Sequence, residues 1–95
     1  MIRRARWSVE FLPSARRELL ALRDPIQNRI RISIRSLADD PMPPDSIPMR
    51  GKGTGLRRLR IGSYRVIYRM HAETVRVLVM RVAHRTEVYS GWEPL

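Results

Sequence analysis

The residues best suited to chemistry are basic and lie in one stretch of the chain. Nineteen of the 95 residues are lysine or arginine, the formal net charge is +10, and Lys52 is the only lysine. Positions 50 to 69 contain no acidic residue and seven basic ones: Arg50, Lys52, Arg57, Arg58, Arg60, Arg65 and Arg69. Arginine presents a planar fork of donors that matches a phosphate group. The stretch indicates a nucleic-acid ligand, although a membrane surface or an acidic protein would also be attracted to it.

A predicted β-hairpin places several of these arginines on one face of a sheet. Gly62 and Ser63 separate two alternating segments, LRRLRI and YRVIYRM, as in a two-residue hairpin turn. Arg60 then lies opposite Arg65, which destabilises the pair by roughly a few tenths of a kcal/mol. The predicted outward face carries Arg58, Arg60, Arg65 and Arg69. A bound polyanion would relieve the repulsion; alternatively, the charges only keep an exposed sheet from pairing with other chains.

The second half of the chain resembles a known family. The string LRRLRIGSYRVIYRM, the strand VRVLVMRVAHR and the ending HRTEVY are similar in order and content to RelE-type toxins of the RelE/ParE superfamily. The helical hairpin predicted for residues 14–38 also fits, so the resemblance covers nearly the whole chain. It implies a toxin of a toxin–antitoxin pair with a RelE-like fold and an antitoxin partner, often acidic and helical.

The resemblance also implies an activity and the residues that carry it. RelE-like toxins are endoribonucleases that cut messenger RNA in the ribosomal A site and so inhibit translation. By position, the catalytic residues would be Arg58, Arg60, Arg65, Arg85 and Tyr89, with Arg81 as an additional contact. The other basic residues of positions 50–69, which are Arg50, Lys52, Arg57 and Arg69, are predicted from their charge to bind RNA. Some members carry lysine where Arg58 or Arg60 stands, and arginine is never deprotonated, which argues against proton transfer at these two positions.

RNA cleavage can be argued from elementary chemistry without a metal or another cofactor. The 2′-hydroxyl is the nucleophile; it must lose its proton, the phosphate charge must be stabilised, and the leaving oxygen must gain a proton. Guanidinium groups suit the second task. Tyr89 is the candidate general base, or else an aromatic residue that caps the core. His84 ranks second as base or acid, or is simply half-exposed at a strand end, and His71 is given no role.

The elements that must position these residues follow from periodicity and turn signals. Residues 7–11 alternate as a short strand, Ser14 can cap a first helix, and Asp24-Pro25-Ile26-Gln27 resembles the capped start of a second helix. Residues 41–55, rich in proline and glycine, predict a long connection, either a linker or a basic contact to a nucleic-acid backbone. Three strands follow, and the last one is expected inside the sheet.

The predicted fold is α+β, with the helical hairpin on one face of a mainly antiparallel four-stranded sheet in the order β-α-α-β-β-β. Residues 1–95 form a single domain on grounds of length. Cysteine is absent, so disulfides and a thiolate metal site are excluded, and two distant histidines make a zinc site improbable. The longest apolar runs, Leu19–Leu22 and Val77–Met80, are too short to span a bilayer, and we expect a cytoplasmic protein.

Two other functions are consistent with the sequence. One is a ParE-like protein that inhibits DNA gyrase by binding it and has no nuclease activity. The other is an RNA-binding module without catalysis. The combination of strand arginines with a terminal arginine and tyrosine favours the ribonuclease.

Overall fold

The computed structural model describes residues 6–49 and 54–89, in which two helices pack on one face of a sheet. The elements in chain order are β1 (Ser8–Phe11), α1 (Pro13–Leu20), α2 (Asp24–Ser36), β2 (Ser46–Pro48), β3 (Leu56–Ile61), β4 (Tyr64–His71) and β5 (Arg76–His84). The strand order is β1-β5-β4-β3-β2, with β1 parallel to β5 and the other neighbours antiparallel. The predicted α+β class with a helical hairpin is confirmed.

The described sheet has five strands, so the predicted count of four is wrong. The additional strand, β2, lies inside the stretch 41–55 that was predicted to be a connection. Ser46 pairs with Leu59 and Pro48 pairs with Arg57. Proline has no N–H to donate, and the edge position of β2 tolerates it. This strand exists because β3 pairs with it, which no local periodicity in residues 41–55 could show.

Both helices begin with a proline in the first turn, and neither is capped as predicted. α1 begins at Pro13, so Ser14 lies inside the helix and is not its cap. α2 begins at Asp24 without a side-chain capping bond. Gln27 Nε2 instead donates to the carbonyl oxygen of Leu22 at 3.1 Å, which closes the link between the helices. No helix in the described part of the chain has the length and apolar composition to cross a membrane.

The β3–β4 hairpin has the predicted register. Arg60 pairs with Arg65, and Ile61 pairs with Tyr64. Gly62 lies in the turn with φ +57°, a backbone conformation that a two-residue turn requires and that favours glycine. The alternation of LRRLRI and YRVIYRM therefore assigned the side chains of both strands to the correct faces.

β5 lies inside the sheet, between β1 and β4, as its apolar composition predicted. Its register with β4 shifts at one point: Ile67 pairs with Arg81, whereas Tyr68 pairs with Val79. Met80 is the extra residue of this β-bulge. A bulge changes the alternation of side chains between faces, so strict alternation along β5 could not give the face on which Arg81 lies.

Apolar side chains are buried on both faces of the sheet. The main core lies under the helices and includes Ala15, Leu19, Ile30, Ile34, Leu37, Leu59, Ile61, Val66, Tyr68, Val77, Val79 and Val82. A smaller cluster on the opposite face joins Leu56, Ile67 and Val88, with Met49, Met80 and Ala83 packed against it. The face that carries the arginines is therefore partly covered by the end of the described chain.

A hydrogen bond from Tyr68 of the central strand β4 holds the segment that connects α2 to β2. The Tyr68 side chain is fully buried, and its hydroxyl donates to the carbonyl oxygen of Pro41 at 2.6 Å. Burial raises the pKa of Tyr68, which keeps the hydroxyl protonated and able to donate. This bond fixes the path of the chain that leads into β2.

Glu18 of α1 accepts a backbone hydrogen bond from β5 at a position beyond the end of the neighbouring strand β1. Its Oε1 accepts the backbone N–H of Val82 at 2.8 Å, and its Oε2 lies 3.3 Å from Nε of Arg81. The carboxylate thus takes the place of a neighbouring strand at this position, because a buried N–H without an acceptor is costly.

We expect Glu18→Ala to lower the free energy of unfolding by about 1 to 2 kcal/mol, because the Val82 N–H loses its acceptor. Glu18→Gln retains an amide oxygen that can accept this bond, so it should lose less. Urea denaturation of the two variants and the parent protein measures the difference. Equal stability of Glu18→Ala and the parent would show that this contact has no structural role.

Candidate active site

Three arginines of the hairpin lie on the face opposite the helices. Arg60 of β3 is directly paired with Arg65 of β4, and Arg58 lies two residues before Arg60 on the same side of β3. Their neighbours Leu59 and Ile61 point to the main core under the helices. The packing requirement of the apolar residues therefore turns the arginines to the other face.

Arg65 is the centre of this group. Its Nη1 donates to the carbonyl oxygens of Gly62 and Tyr64, each at 2.9 Å, which holds the side chain back over the turn. Burial lowers the pKa of Arg65, and three nearby guanidinium groups lower it further, those of Arg58, Arg60 and Arg85; Tyr89 has the opposite effect. Arginine remains protonated all the same. All five sequence-predicted catalytic residues are thus close enough to interact electrostatically around one point.

Tyr89 is brought to the arginines by a side-chain contact. Arg58 Nη1 donates to the phenolic oxygen of Tyr89 at 2.5 Å. A guanidinium can only donate, so the phenol oxygen accepts this bond and its own proton can point to another acceptor. The Tyr89 side chain is 45% exposed, which leaves it accessible to a ligand. It is therefore not an aromatic residue that caps the core.

The turn formed by residues 85–89 holds Tyr89 in place. The backbone N–H of Arg85 donates to the carbonyl oxygen of Ser63 at 2.7 Å, which joins the end of the chain to the hairpin turn. Val88 is 1% exposed and packs against Leu56 and Ile67. Sequence reasoning missed Val88; the available signal was a single apolar residue between the charged and polar residues of HRTEVY.

Two of the residues predicted to bind RNA lie away from this group. Arg57 alternates with Arg58 and points to the other side of β3, where its Nη2 donates to Oγ of Ser46 at 3.0 Å. Arg69 pairs with Leu56 at the end of the hairpin far from the turn. Four residues of strand separate it from Arg65, which corresponds to roughly 13 Å. Neither residue joins the cluster around Arg65.

The two second-rank candidates are also engaged elsewhere. Arg81 forms the ion pair with Glu18 described above, and its side chain is largely buried. His84 is paired with Tyr64, so it shares the helix-facing side of the sheet, and the two rings meet edge to face with centroids 5.4 Å apart. His84 Nδ1 also lies 2.9 Å from Oγ1 of Thr86. The geometry brings Tyr89, and not His84, to the arginines.

Arg50 and Lys52, the remaining predicted RNA contacts, lie outside the described residues. Among residues 6–49 and 54–89, no group of three or more histidine, aspartate or glutamate side chains is arranged to hold a metal ion. Among the described residues, the groups gathered around Arg65 are guanidinium donors and one phenol. We call Arg58, Arg60, Arg65, Arg85 and Tyr89 the arginine–tyrosine cluster.

Comparison with known proteins identifies the family. The model of the ParE toxin of the type II toxin–antitoxin system parDE matches residues 9–89. The toxin RelG of Mycobacterium tuberculosis is 31% identical over 84 residues, which cover 87% of this chain and 95% of RelG. The chain is a toxin of the RelE/ParE superfamily. The matched range contains the whole arginine–tyrosine cluster.

Solved structures of RelE/ParE toxins share the fold of this toxin. The RelBE2 toxin–antitoxin complex of Mycobacterium tuberculosis matches with a TM-score of 0.73 and 31% identity, covering 83% of this chain and 98% of that chain. The RelE–RelB complex of the archaeon Pyrococcus horikoshii matches with a TM-score of 0.76 and 25% identity, covering 84% and 96%. The Escherichia coli RelBE complex, at 18% identity and a TM-score of 0.69 over 82% and 95%, shows the fold alone.

We expect Val88→Ala to release the turn at residues 85–89 from the sheet of this RelE/ParE toxin. Loss of the buried side chain should cost about 1 to 2.5 kcal/mol of stability and speed the amide hydrogen exchange of Arg85 and Glu87. Val77→Ala, in the main core, is the matched control: it should cost similar stability without selective exchange at these two amides. Identical exchange in the two variants would mean that Val88 does not anchor the turn.

Proposed function

We propose that this toxin is a metal-independent endoribonuclease that cleaves messenger RNA, with the ribosomal A site as the place of cleavage, and thereby inhibits translation. The observation that carries the proposal is the arginine–tyrosine cluster on the face of the sheet opposite the helices. The guanidinium groups of Arg58, Arg60 and Arg85 and the accessible phenol of Tyr89 lie around Arg65. This set of groups matches the tasks of RNA cleavage by the 2′-hydroxyl.

The reaction needs a base, an acid and stabilisation of negative charge. In the proposed step, Tyr89 as phenolate takes the proton of the 2′-hydroxyl, whose oxygen attacks the adjacent phosphorus. The bond from phosphorus to the 5′-oxygen breaks, and that oxygen takes a proton from a solvent water; the hydroxide left behind removes the proton from Tyr89 and restores the base. The products are a 2′,3′-cyclic phosphate and a free 5′-hydroxyl. The nucleophile belongs to RNA, so DNA would not be a substrate.

The arginines supply the charge stabilisation. The transition state carries additional negative charge on the phosphate oxygens, and preorganised cations directed at such charge commonly provide the largest part of catalysis. Arg65 is preorganised by its bonds to the hairpin turn, and Arg58 by its bond to Tyr89. Arginine cannot serve as a base, so within the arginine–tyrosine cluster Tyr89 is the candidate for proton abstraction.

The proposal includes an antitoxin as partner. The similar structures from Mycobacterium tuberculosis and Pyrococcus horikoshii are complexes of toxin and antitoxin. On this chain, a groove between β1, α1 and α2 is lined by Val9, Phe11, Leu19, Leu20 and Ile34 and bordered by Arg16, Arg31 and Arg35. An acidic amphipathic segment would bury apolar side chains in this groove and neutralise the arginines around it.

One observation favours a second candidate function. The matching family model is that of a ParE toxin, and we hypothesised from the sequence that a ParE-like protein would inhibit DNA gyrase without nuclease activity. The arginine–tyrosine cluster supports the ribonuclease hypothesis, because binding to another protein requires no phenol in contact with a group of guanidiniums. We therefore keep gyrase inhibition as the alternative outcome of the experiment below.

The direct test is expression of the chain in a translating extract, followed by mapping of messenger RNA ends. We expect cuts inside translated regions, in phase with codons, and cyclic phosphate at the new 3′ ends. Intact messenger RNA together with double-strand breaks in DNA would overturn the ribonuclease proposal in favour of the gyrase inhibitor. Intact RNA and intact DNA, with RNA still bound, would indicate a binding module.

We expect Tyr89→Phe to reduce the cleavage rate by roughly 100-fold or more with little effect on RNA affinity, because the substitution removes a proton-transfer group. Tyr64→Phe is the matched control, since it removes a phenolic hydroxyl from the helix-facing side of the same sheet. Single-turnover cleavage and a binding assay measure the two effects separately. An unchanged cleavage rate in Tyr89→Phe would exclude Tyr89 as the base.

A further inference from the structure

A basic cleft next to the arginine–tyrosine cluster has no role in the function proposed so far. It lies between α2 and the β3–β4 hairpin and has a volume of about 500 Å³. Arg29, Ser33 and Ser36 of α2 form one wall, and residues 59–62 form the other. Arg60, Arg65 and Arg85 also line the cleft. The cleft therefore continues from the cluster around the edge of β3 toward the helices.

The helical repeat explains why Arg29 faces this cleft. Ile30 and Ile34 of α2 are buried in the main core. Arg29, Ser33 and Ser36 follow one another at spacings of four and three residues, so they form one strip along the helix beside the buried one. Packing of α2 on the sheet thus places this polar strip next to the hairpin.

Gly62 allows the Arg29 guanidinium to approach the hairpin turn. A β-carbon at Gly62 would lie 3.2 Å from Nη1 of Arg29 and 3.6 Å from both Cζ and Nη2. Any larger residue would press against the guanidinium in addition to straining the backbone at φ +57°. The glycine of the turn therefore serves a second purpose, because it leaves room for a cation from α2.

The charges of the cleft favour an anion. Four arginines line it, Arg29, Arg60, Arg65 and Arg85, against one carboxylate, Asp45. Within residues 6–49 and 54–89, no ion pair joins any of these four arginines to an acidic side chain. Ser33 adds a hydroxyl that can donate to a phosphate oxygen. The wall of α2 thus extends the positive surface beyond the five residues of the cluster.

We propose that this cleft binds a backbone phosphate of the RNA next to the phosphate that is cut, with Arg29 as its specific contact. The identification of the anion as RNA rests on the proposed function. Arg29 is absent from the arginine–tyrosine cluster, so it positions the strand and does not act on the reacting atoms. Arg60, Arg65 and Arg85 line both sites and connect them.

The test compares two variants of α2 that remove the same charge. Arg29→Gln removes the proposed contact, whereas Arg35→Gln removes an arginine that borders the groove on the other side of the helix. Both residues are exposed, so both variants should fold. The probe is a single-stranded RNA of eight nucleotides with 2′-O-methyl groups, which binds but cannot be cleaved by the proposed reaction.

We expect Arg29→Gln to weaken binding of this RNA roughly tenfold, the loss of a charged hydrogen bond. The slope of log K against log salt concentration should decrease in magnitude by about 0.7, the value for one phosphate contact to a single strand. Arg35→Gln should change neither quantity. Equal effects of the two variants, or no effect of Arg29→Gln, would overturn the proposal.

A length series separates the flanking site from the scissile one. The Arg29→Gln effect should vanish on a 2′-O-methyl dinucleotide, which contains only one internucleotide phosphate. Persistence on the dinucleotide would place Arg29 at the cut phosphate and overturn the inference. If the parent protein binds RNA through Arg29 and never cleaves it, the proposed nuclease function fails, whereas the cleft still stands as a site for an RNA phosphate. If the parent protein cleaves RNA and Arg29→Gln binds RNA as tightly as the parent, the proposed nuclease function stands and this inference fails.

Discussion

Repulsion among the guanidinium groups around Arg65 is the constraint on which the rest of this structure depends. Arg60 and Arg65 lie directly opposite each other, which costs the hairpin stability of roughly a few tenths of a kcal/mol or more. Burial of apolar side chains on both faces of the sheet offsets this cost. These side chains form the main core under the helices and the smaller cluster around Val88. A phosphate placed among these cations would convert the repulsion into binding energy. The fold thus holds charges in an arrangement that is completed by an anion.

Two groups among the described arginines have different roles. One group serves the structure: Arg57 donates to β2 through Ser46, and Arg81 pairs with Glu18 at the part of β5 beyond β1. The other group meets at the hairpin turn and has no carboxylate partner among the described residues. A high content of arginine by itself therefore says little about function. The convergence of several arginines at the hairpin turn, without a carboxylate partner among the described residues, is what defines the candidate site.

Membership of the RelE/ParE superfamily narrows the function without fixing the chemistry. The matching family model is that of a ParE toxin, whereas RelG and the RelE–RelB complexes belong to the RelE side of the superfamily. Function depends on the side chains that a shared fold presents. In this toxin one face of the sheet carries several guanidiniums, and the turn that follows β5 adds a phenol in contact with one of them, Arg58. These groups are suited to stabilise a phosphate and to move a proton.

The sequence by itself determined the features that depend on neighbouring residues. Alternation around Gly62 and Ser63 gave the hairpin register and the face that carries Arg60 and Arg65, and the apolar repeat of α2 gave the helical hairpin. Turn geometry and periodicity act over a few residues, so the local pattern is sufficient. The family resemblance selected Tyr89, which composition alone would have assigned to the core.

Only the tertiary structure decided the features that depend on contacts between distant parts of the chain. The pairing of β2 with β3, the ion pair of Glu18 with Arg81, the burial of Val88 and the approach of Arg29 to Gly62 all belong to this class. Each of these contacts joins two segments that are far apart in the sequence and close together only in the folded chain. Their free energies come from packing and from satisfied polar groups in the folded chain, and these interactions leave no periodic signal in the sequence.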